Sequence, residues 1–252
     1  MTRDDYTRSA SEIRSVAPWL ESCYHAAMRL SQGRVIEIYS APGGIQARIA
    51  CPARLVPFPG QFLQASSQDS ILGTTLFFAR AAQGGFISAP PIPDHWTPGT
   101  ALSVWGPLGH GFRLPANLHR LGLIAAGDSI ARLTPLMELA LTQGATVTLF
   151  TDCSPVQLPA ALEVYPLSEY PSLATWPDFL AIDLPLDILH QLRTILGLPV
   201  DGHPPCAGQV LVHTLMPCAG LADCGICAVE LRRRWNLACK DGPVFDLRDL
   251  LA

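Results

Sequence analysis

The residues best suited to chemistry stand close together near the end of the chain. Cys218, Cys224, Cys227 and Cys239 fall within the last 35 residues, with five, two and eleven residues between successive members. Thiolates three positions apart on a looped backbone can face one centre while a distant fourth closes the shell, which is the donor set of a 2Fe–2S pair of irons. A structural zinc site uses the same soft ligands. Zinc ribbons generally carry two close pairs, however, and only Cys224 and Cys227 form one here. Disulfides or inert thiols are the remaining readings. Gly220 and Gly225 favour the cluster, because a loop wrapped around it needs positive φ and backbone N–H groups turned toward sulfur. Cys23, Cys51, Cys153 and Cys206 are dispersed and read as small buried hydrophobes.

Other chemistry is sparse. His25, His95, His110, His119, His190, His203 and His213 show no metal-ligand spacing. There is no Gly-x-Ser-x-Gly elbow, His-Glu-x-x-His helix or P-loop, which removes the simple hydrolase and NTPase readings. Arg232-Arg233-Arg234, between Cys227 and Cys239, reads either as a solvated turn or as a contact that steers an acidic partner. The net charge of −4 with scattered basic residues gives no footprint for nucleic acid. A hydrophobic fraction of 49% against 15% charged residues excludes a disordered, collagenous or coiled-coil chain. It also leaves the neutral surface of a subunit that docks on another protein.

Stepping outward from the cysteines, residues 9–31 have helical apolar spacing and read as an N-terminal extension. From Arg34 the period becomes two, with Val35, Ile36 and Ile38 and then Ile45, Ala47 and Ile49 flanking Pro42-Gly43-Gly44, a β-hairpin pattern. Short strands continue to about Phe112 with dense turn punctuation, as in a small antiparallel barrel. After Leu118 the pattern alternates. Leu123 to Ala126 form a buried strand, Ile130 to Leu141 repeat at helical spacing, and Val147 and Leu149 begin another strand, a βαβ unit with a parallel sheet. A weaker copy runs from Phe179 to Leu196, and the proline-rich stretch from Pro199 to Pro205 opens the cysteine module.

Residues 209–252 resemble the 2Fe–2S module of the dihydroorotate dehydrogenase electron transfer subunit family, above all in Cys239-Lys240-Asp241-Gly242-Pro243-Val244-Phe245. Pro59-Gly60-Gln61-Phe62 and Gly106-Pro107-Leu108-Gly109-His110-Gly111-Phe112 resemble the family's barrel motifs, with His110 where an Asn is usual. The resemblance implies an α+β multidomain chain of the ferredoxin reductase-like group. Its expected parts are an N-terminal helical extension (1–32), an FAD-binding-like β-barrel (33–117), a shortened three-layer α/β NAD-binding-like domain (118–202) and a 2Fe–2S module (203–252). It further implies FAD between barrel and α/β domain, NADH on the latter, and a cluster held by Cys218, Cys224, Cys227 and Cys239 that passes single electrons to a flavoprotein partner oxidising dihydroorotate. A hetero-oligomer follows from that expectation.

Three positions depart from the pattern. Where the family carries a flavin-binding arginine, this chain has Leu72-Gly73-Thr74-Thr75-Leu76-Phe77-Phe78, and threonine cannot reproduce the bidentate charge that a guanidinium offers a pyrophosphate. Gly84-Gly85 is the substitute phosphate cradle, against the plain reading of a hairpin turn. The nucleotide loop reads Ala125-Ala126-Gly127-Asp128-Ser129-Ile130, where Asp128 is expected to cap a helix that should otherwise receive a phosphate. Ile182-Asp183-Leu184-Pro185 stands where Cys-Gly-Pro is usual. These departures weigh against NADH and FAD and leave a second reading, a degenerate paralogue that serves as a metal-stabilised docking scaffold. No apolar run reaches the ~18 residues that span a bilayer, and the first residues lack a leader pattern, so a cytoplasmic location is expected.

Overall fold

The structure is a computed structural model that describes residues 31–41, 43–153, 158–218, 220–232 and 234–251. Of the expected N-terminal helix over 9–31, all but Ser31 lies outside the described residues, and Ser31 opens a strand.

Six antiparallel strands close into a barrel: β1 (Ser31–Ala41), β2 (Gly44–Ala50), β3 (Phe62–Ser66), β4 (Thr74–Ala82), β5 (Gly85–Ser88) and β6 (Ala101–Leu108). They neighbour one another in the order β1-β2-β5-β4-β3-β6. Period-two alternation puts Val35, Ala47, Ile49, Leu63, Leu76, Phe86, Leu102 and Val104 inside, where Trp96 and Leu55 from the connections complete the core. The β1–β2 hairpin pairs Ala41 with Gly44, so the expected turn lies where the pattern put it.

A six-stranded sheet follows, built from β7 (Arg120–Ala125), β8 (Thr146–Thr151), β9 (Glu163–Tyr165), β10 (Phe179–Pro185), β11 (Ala207–His213) and β14 (Val244–Asp246). The spatial order is β14-β11-β10-β7-β8-β9; every pairing is parallel except the antiparallel edge pair β11·β14. Apart from Arg120 at the exposed start of β7 and the buried Asp183 in β10, the central strands are apolar, as strands covered on both faces must be. Helix α1 (Thr134–Thr142) buries Leu136, Met137 and Ala140 against this sheet. Two of the strands, β11 and β14, come from the segment that the sequence assigns to the cluster module, so that module shares its sheet with the α/β domain. A hairpin of β12 (Ala228–Leu231) and β13 (Arg234–Leu237) projects between them.

Chain connection reverses direction across this sheet: β7 leads to β8 on one side, while β10 returns to the other side of β7. In open parallel sheets, ligands enter the crevice outside the carboxyl ends of the strands at such a switch point. Here the segments 125–129, 185–187 and 213–217 leave the carboxyl ends of β7, β10 and β11.

Candidate functional site

The loop from Thr214 to Cys227 carries three of the four clustered cysteines, and β13 delivers Cys239 back beside it through the bond from Ala238 N–H to the Cys227 carbonyl, 2.9 Å. Burial apart, the thiols act on one another in pairs: the Cys224 side chain lowers the Cys218 pKa, and Cys227, with a smaller contribution from Cys218, raises that of Cys239. The sequence-selected thiols are thus coupled as two pairs, Cys218 with Cys224 and Cys227 with Cys239. Among the described residues no three His, Cys, Asp or Glu side chains gather as a single-ion site would require. A [2Fe–2S] cluster takes four thiolates, two for each iron, so the pairwise donor set fits it.

The loop backbone supports the same chemistry. Burial pushes the Cys218 thiol up, but backbone N–H groups of Asp223, Cys224 and Ala222 together with the Cys224 side chain bring it down to about 7. Such amides stabilise a thiolate and would equally stabilise cluster-bound sulfur. Burial raises Cys239 to about 12, with Cys227 and Cys218 adding to the rise and the Ala222 amide opposing it. To aim these amides inward the loop passes through positive φ at Gly220 (82°), Ala222 (65°) and Gly225 (71°). The two glycines are the ones the sequence pointed to; Ala222 is a third that no glycine marks.

The motifs that carried the resemblance meet at one joint. Phe112 N–H donates to the Pro59 carbonyl at 2.9 Å, and Gln61 Nε2 donates to the Gly109 carbonyl at 3.0 Å. His110 N–H donates to the Gly242 carbonyl, and the His110 ring contacts the Asp241 carbonyl through Nδ1 at 2.9 Å. A Cβ on Gly109 would sit 2.5 Å from Pro243 Cδ, and one on Gly60 would sit 2.7 Å from Val244 Cγ2. These segments fix the barrel to the strand that follows Cys239, and so hold the cysteine loop on the body.

Beside the loop lies a cleft of about 740 Å³ between barrel and sheet. Its walls are largely apolar, with Leu72 and Phe77 on one side and Leu186, Leu215 and Met216 opposite, and Pro217 adjoins Cys218 directly. At its floor Arg132 is held on every side. Nε donates to both Asp183 carboxylate oxygens (3.1 and 2.9 Å), Nη1 donates to the Pro90 carbonyl at 2.7 Å, and Nη2 contacts His213 Nε2 at 3.0 Å. Burial raises Asp183 to about 6, partly offset by Arg132, while burial and then Arg132 depress His213 to about 3. Neutral His213 accepts from Arg132, and the cation is spent on ionised Asp183. No sequence pattern marks this trio beyond the carboxylate inside the apolar run 179–184.

The cleft does not fit a pyrophosphate. Among its described lining residues Arg132 and His213 are the only basic side chains, one sequestered and the other neutral, while Asp128 and Asp187 stand exposed at the rim. Gly84 and Gly85 do not line it. Gly84 lies in the β4–β5 turn with φ 74°, and Gly85 opens β5, where a Cβ would overlap the Ile49 carbonyl.

The expected Asp128 cap is corrected. α1 starts six residues later at Thr134, because Leu133 and Thr134 N–H groups first bond back to the Ile130 carbonyl. In the loop itself Ala126 N–H goes to the Asp183 carbonyl, and Ala131 N–H goes to Ser129 Oγ. A separate depression over Asp128, Asp152 and Cys153 carries no basic side chain among its described residues. Of the arginine run, Arg232 pairs with Asp249 at 2.7 Å.

Comparisons with known proteins agree with this geometry. Residues 213–251 match the family "iron-sulfur cluster binding domain of dihydroorotate dehydrogenase B". No curated protein sequence matches the chain. The solved structure of an NADH-dependent reduced ferredoxin-NADP oxidoreductase, described for flavin-based electron bifurcation, is 18% identical with a TM-score of 0.68, covering 87% of this chain and 89% of its own. A ferredoxin reductase of carbazole 1,9a-dioxygenase is 14% identical at TM-score 0.55, covering 68% of this chain and 66% of that one. An Amycolatopsis cytochrome P450 reductase is 15% identical at TM-score 0.52 with the same two shares. These structures establish the ferredoxin reductase-like fold. No helix among the described residues is long and apolar enough to cross a membrane. Residues 213–251 thus match an iron–sulfur cluster binding domain of the dihydroorotate dehydrogenase B type, set on a chain with the ferredoxin reductase-like fold.

Proposed function

We propose that this chain is an electron-transfer subunit whose [2Fe–2S] centre is held by Cys218, Cys224, Cys227 and Cys239, and that a partner oxidoreductase subunit carries out the substrate chemistry. The observation that carries the reading is the convergence of those thiols in two pairs under amides of one loop. When bound, such a cluster accepts and releases one electron at a time. The chain's own residues do the rest. Amides of residues 222–224 offset negative charge at sulfur, and the joint between residues 106–112 and 241–244 holds the loop against the body. Ile226 within the loop and Trp235 on its hairpin expose large apolar side chains, 55% and 70% accessible, a surface suited to a covering subunit. By the family, that partner is a dihydroorotate dehydrogenase-like flavoprotein, and oxidation of dihydroorotate to orotate is its reaction.

The misfit of the cleft to a pyrophosphate favours one variant of this reading, in which the chain itself holds neither FAD nor NADH and the cluster exchanges electrons with an outside donor. The alternative without electron transfer, a scaffold stabilised by a structural metal, is separated by one experiment. Protein purified without oxygen should be reddish brown, bleach with dithionite, and give a one-electron paramagnetic signal with about two irons per chain. Serine at any of the four cysteines should abolish it, whereas serine at Cys51, Cys153 or Cys206 should not. A colourless, zinc-replete preparation refutes the proposal.

A further inference from the structure

We propose that the cleft beside the cysteine loop is covered by the chain's own residues 13–30, which precede β1 and lie outside the described residues. This does not depend on which metal the cysteines hold. Leu72 on the barrel wall and Leu215 opposite leave 60% and 79% of their surface exposed at the cleft, and Ile71, next to Leu72, leaves 99%. Adjoining apolar surface of this kind is costly to hydrate, and a chain segment laid across it removes it from water. A ligand confined to the interior would leave Ile71 wet.

The register of the barrel starts β1 at the end where that segment is needed. Ser31, its first residue, pairs with Val104, Val104 with Ala65, and Ala65 with Thr74, which lines the cleft. Ser31 and Thr74 therefore stand at one level of the barrel, three strand spacings or about 14 Å apart. The twelve residues from Trp19 to Leu30 would span ~18 Å as a helix and ~40 Å fully extended, enough in either form. Their apolar members recur at helical spacing, Trp19 and Leu20, Cys23 and Tyr24, Ala27 and Met28, which supplies one stripe for the Leu72 and Leu215 walls. Charge agrees. Among the described lining residues the exposed charges are Asp128 and Asp187, because Arg132 is committed to Asp183, while residues 13–30 carry Arg14 and Arg29 against a single acid, Glu21. Covalent linkage favours this segment over that of a second copy, since a short tether holds it at roughly millimolar effective concentration.

Hydrogen exchange of the full chain, purified without oxygen and read by mass spectrometry, should show the amides of residues 19–30 protected at least tenfold over a free peptide of the same sequence. Trp19→Asp, within the segment, and Leu72→Asp, at an exposed position on the barrel wall, should each remove that protection while the amides of β10 keep theirs, which shows that the body stays folded. In a Leu72→Cys variant a short bismaleimide should join the introduced thiol to Cys23 of the same chain, and adding Cys23→Ser should remove that link. Unprotected amides over residues 19–30, protection untouched by Leu72→Asp, or Cys23 joined only to a second chain each overturns the proposal. The paramagnetic signal of the same samples reports the cluster separately, so the two readings fail independently.

Discussion

Cys218 and Cys239, which the sequence separates by twenty intervening residues, feel the same backbone dipole: the N–H of Ala222 lowers the thiol pKa of both. Ala222 does so from the left-handed region, φ 65°, where a Cβ is strained. Glycine at this position keeps the N–H and removes the strain, so Ala222→Gly should stabilise the loop by up to ~1 kcal/mol. Ala222→Val keeps the N–H but forces a β-branched side chain into the same region and should shorten cluster lifetime severalfold. Visible absorbance followed under chelator challenge measures both; equal lifetimes would show that the loop conformation does not govern cluster retention.

Two glycines of the barrel isolate what a close domain contact is worth. Gly43 and Gly84 have similar positive φ, 80° and 74°. A Cβ on Gly84 would meet open space, whereas one on Gly43 would lie 2.2 Å from the Asp128 carbonyl oxygen and 2.6 Å from Ser129 Cα. Gly84→Ala should therefore cost about 1 kcal/mol, the conformational term alone. Gly43→Ala should cost at least ~2 kcal/mol more, because backbone of the α/β domain must retreat. Denaturant unfolding of the two variants gives the difference, and matching values would mean that the hairpin and the 128–129 loop part easily.

Periodicity exposed the elements but not all of their partners. The run from Leu123 through Leu149 announced a βαβ unit because its apolar residues change period at Ile130 and again at Val147, and β7, α1 and β8 follow it closely. That β11 and β14 would complete the same sheet was hidden, since strand pairing across more than thirty residues leaves no local pattern. Asp128 failed as a cap for a related reason: the Leu133 and Thr134 N–H groups turn back to the Ile130 carbonyl before the helix begins, which helical spacing of side chains does not reveal. The four thiols were legible because metal chemistry concentrates them in sequence. Arg132, Asp183 and His213 meet only because the sheet brings the carboxyl ends of β7, β10 and β11 together.

The Arg132–Asp183 pair is almost fully buried, with side chains 4% and 0% exposed. Truncating either partner leaves a charge without compensation, so Arg132→Met or Asp183→Leu should each cost about 3–5 kcal/mol. The double variant replaces both by apolar groups and should recover most of that loss. A double-mutant cycle on urea unfolding gives the coupling. Additive losses would mean that the two side chains act independently despite their contact.

His213 and Asp183, 3.7 Å apart, bind protons with opposite consequences for stability. Burial lowers His213 from 6.5 to about 3, so its contribution is full above pH 6.5 and is lost as pH falls toward 3, because the unfolded chain takes the proton first. Burial raises Asp183 from 3.8 to about 6, so between those values the folded chain takes the proton first and gains stability as pH falls. Over the window from pH 6 to 4 the two slopes oppose each other. His213→Gln removes only the first. The stability advantage of the unaltered protein over this variant should therefore shrink by about 1 kcal/mol on going from pH 6 to pH 5, where a full linked proton corresponds to ~1.4 kcal/mol per pH unit. Urea unfolding of both proteins at the two pH values decides it. A constant difference would mean that the His213 ring already carries a proton in the folded state, in which case it could not accept from Arg132 and the network at the cleft floor would have to be redrawn.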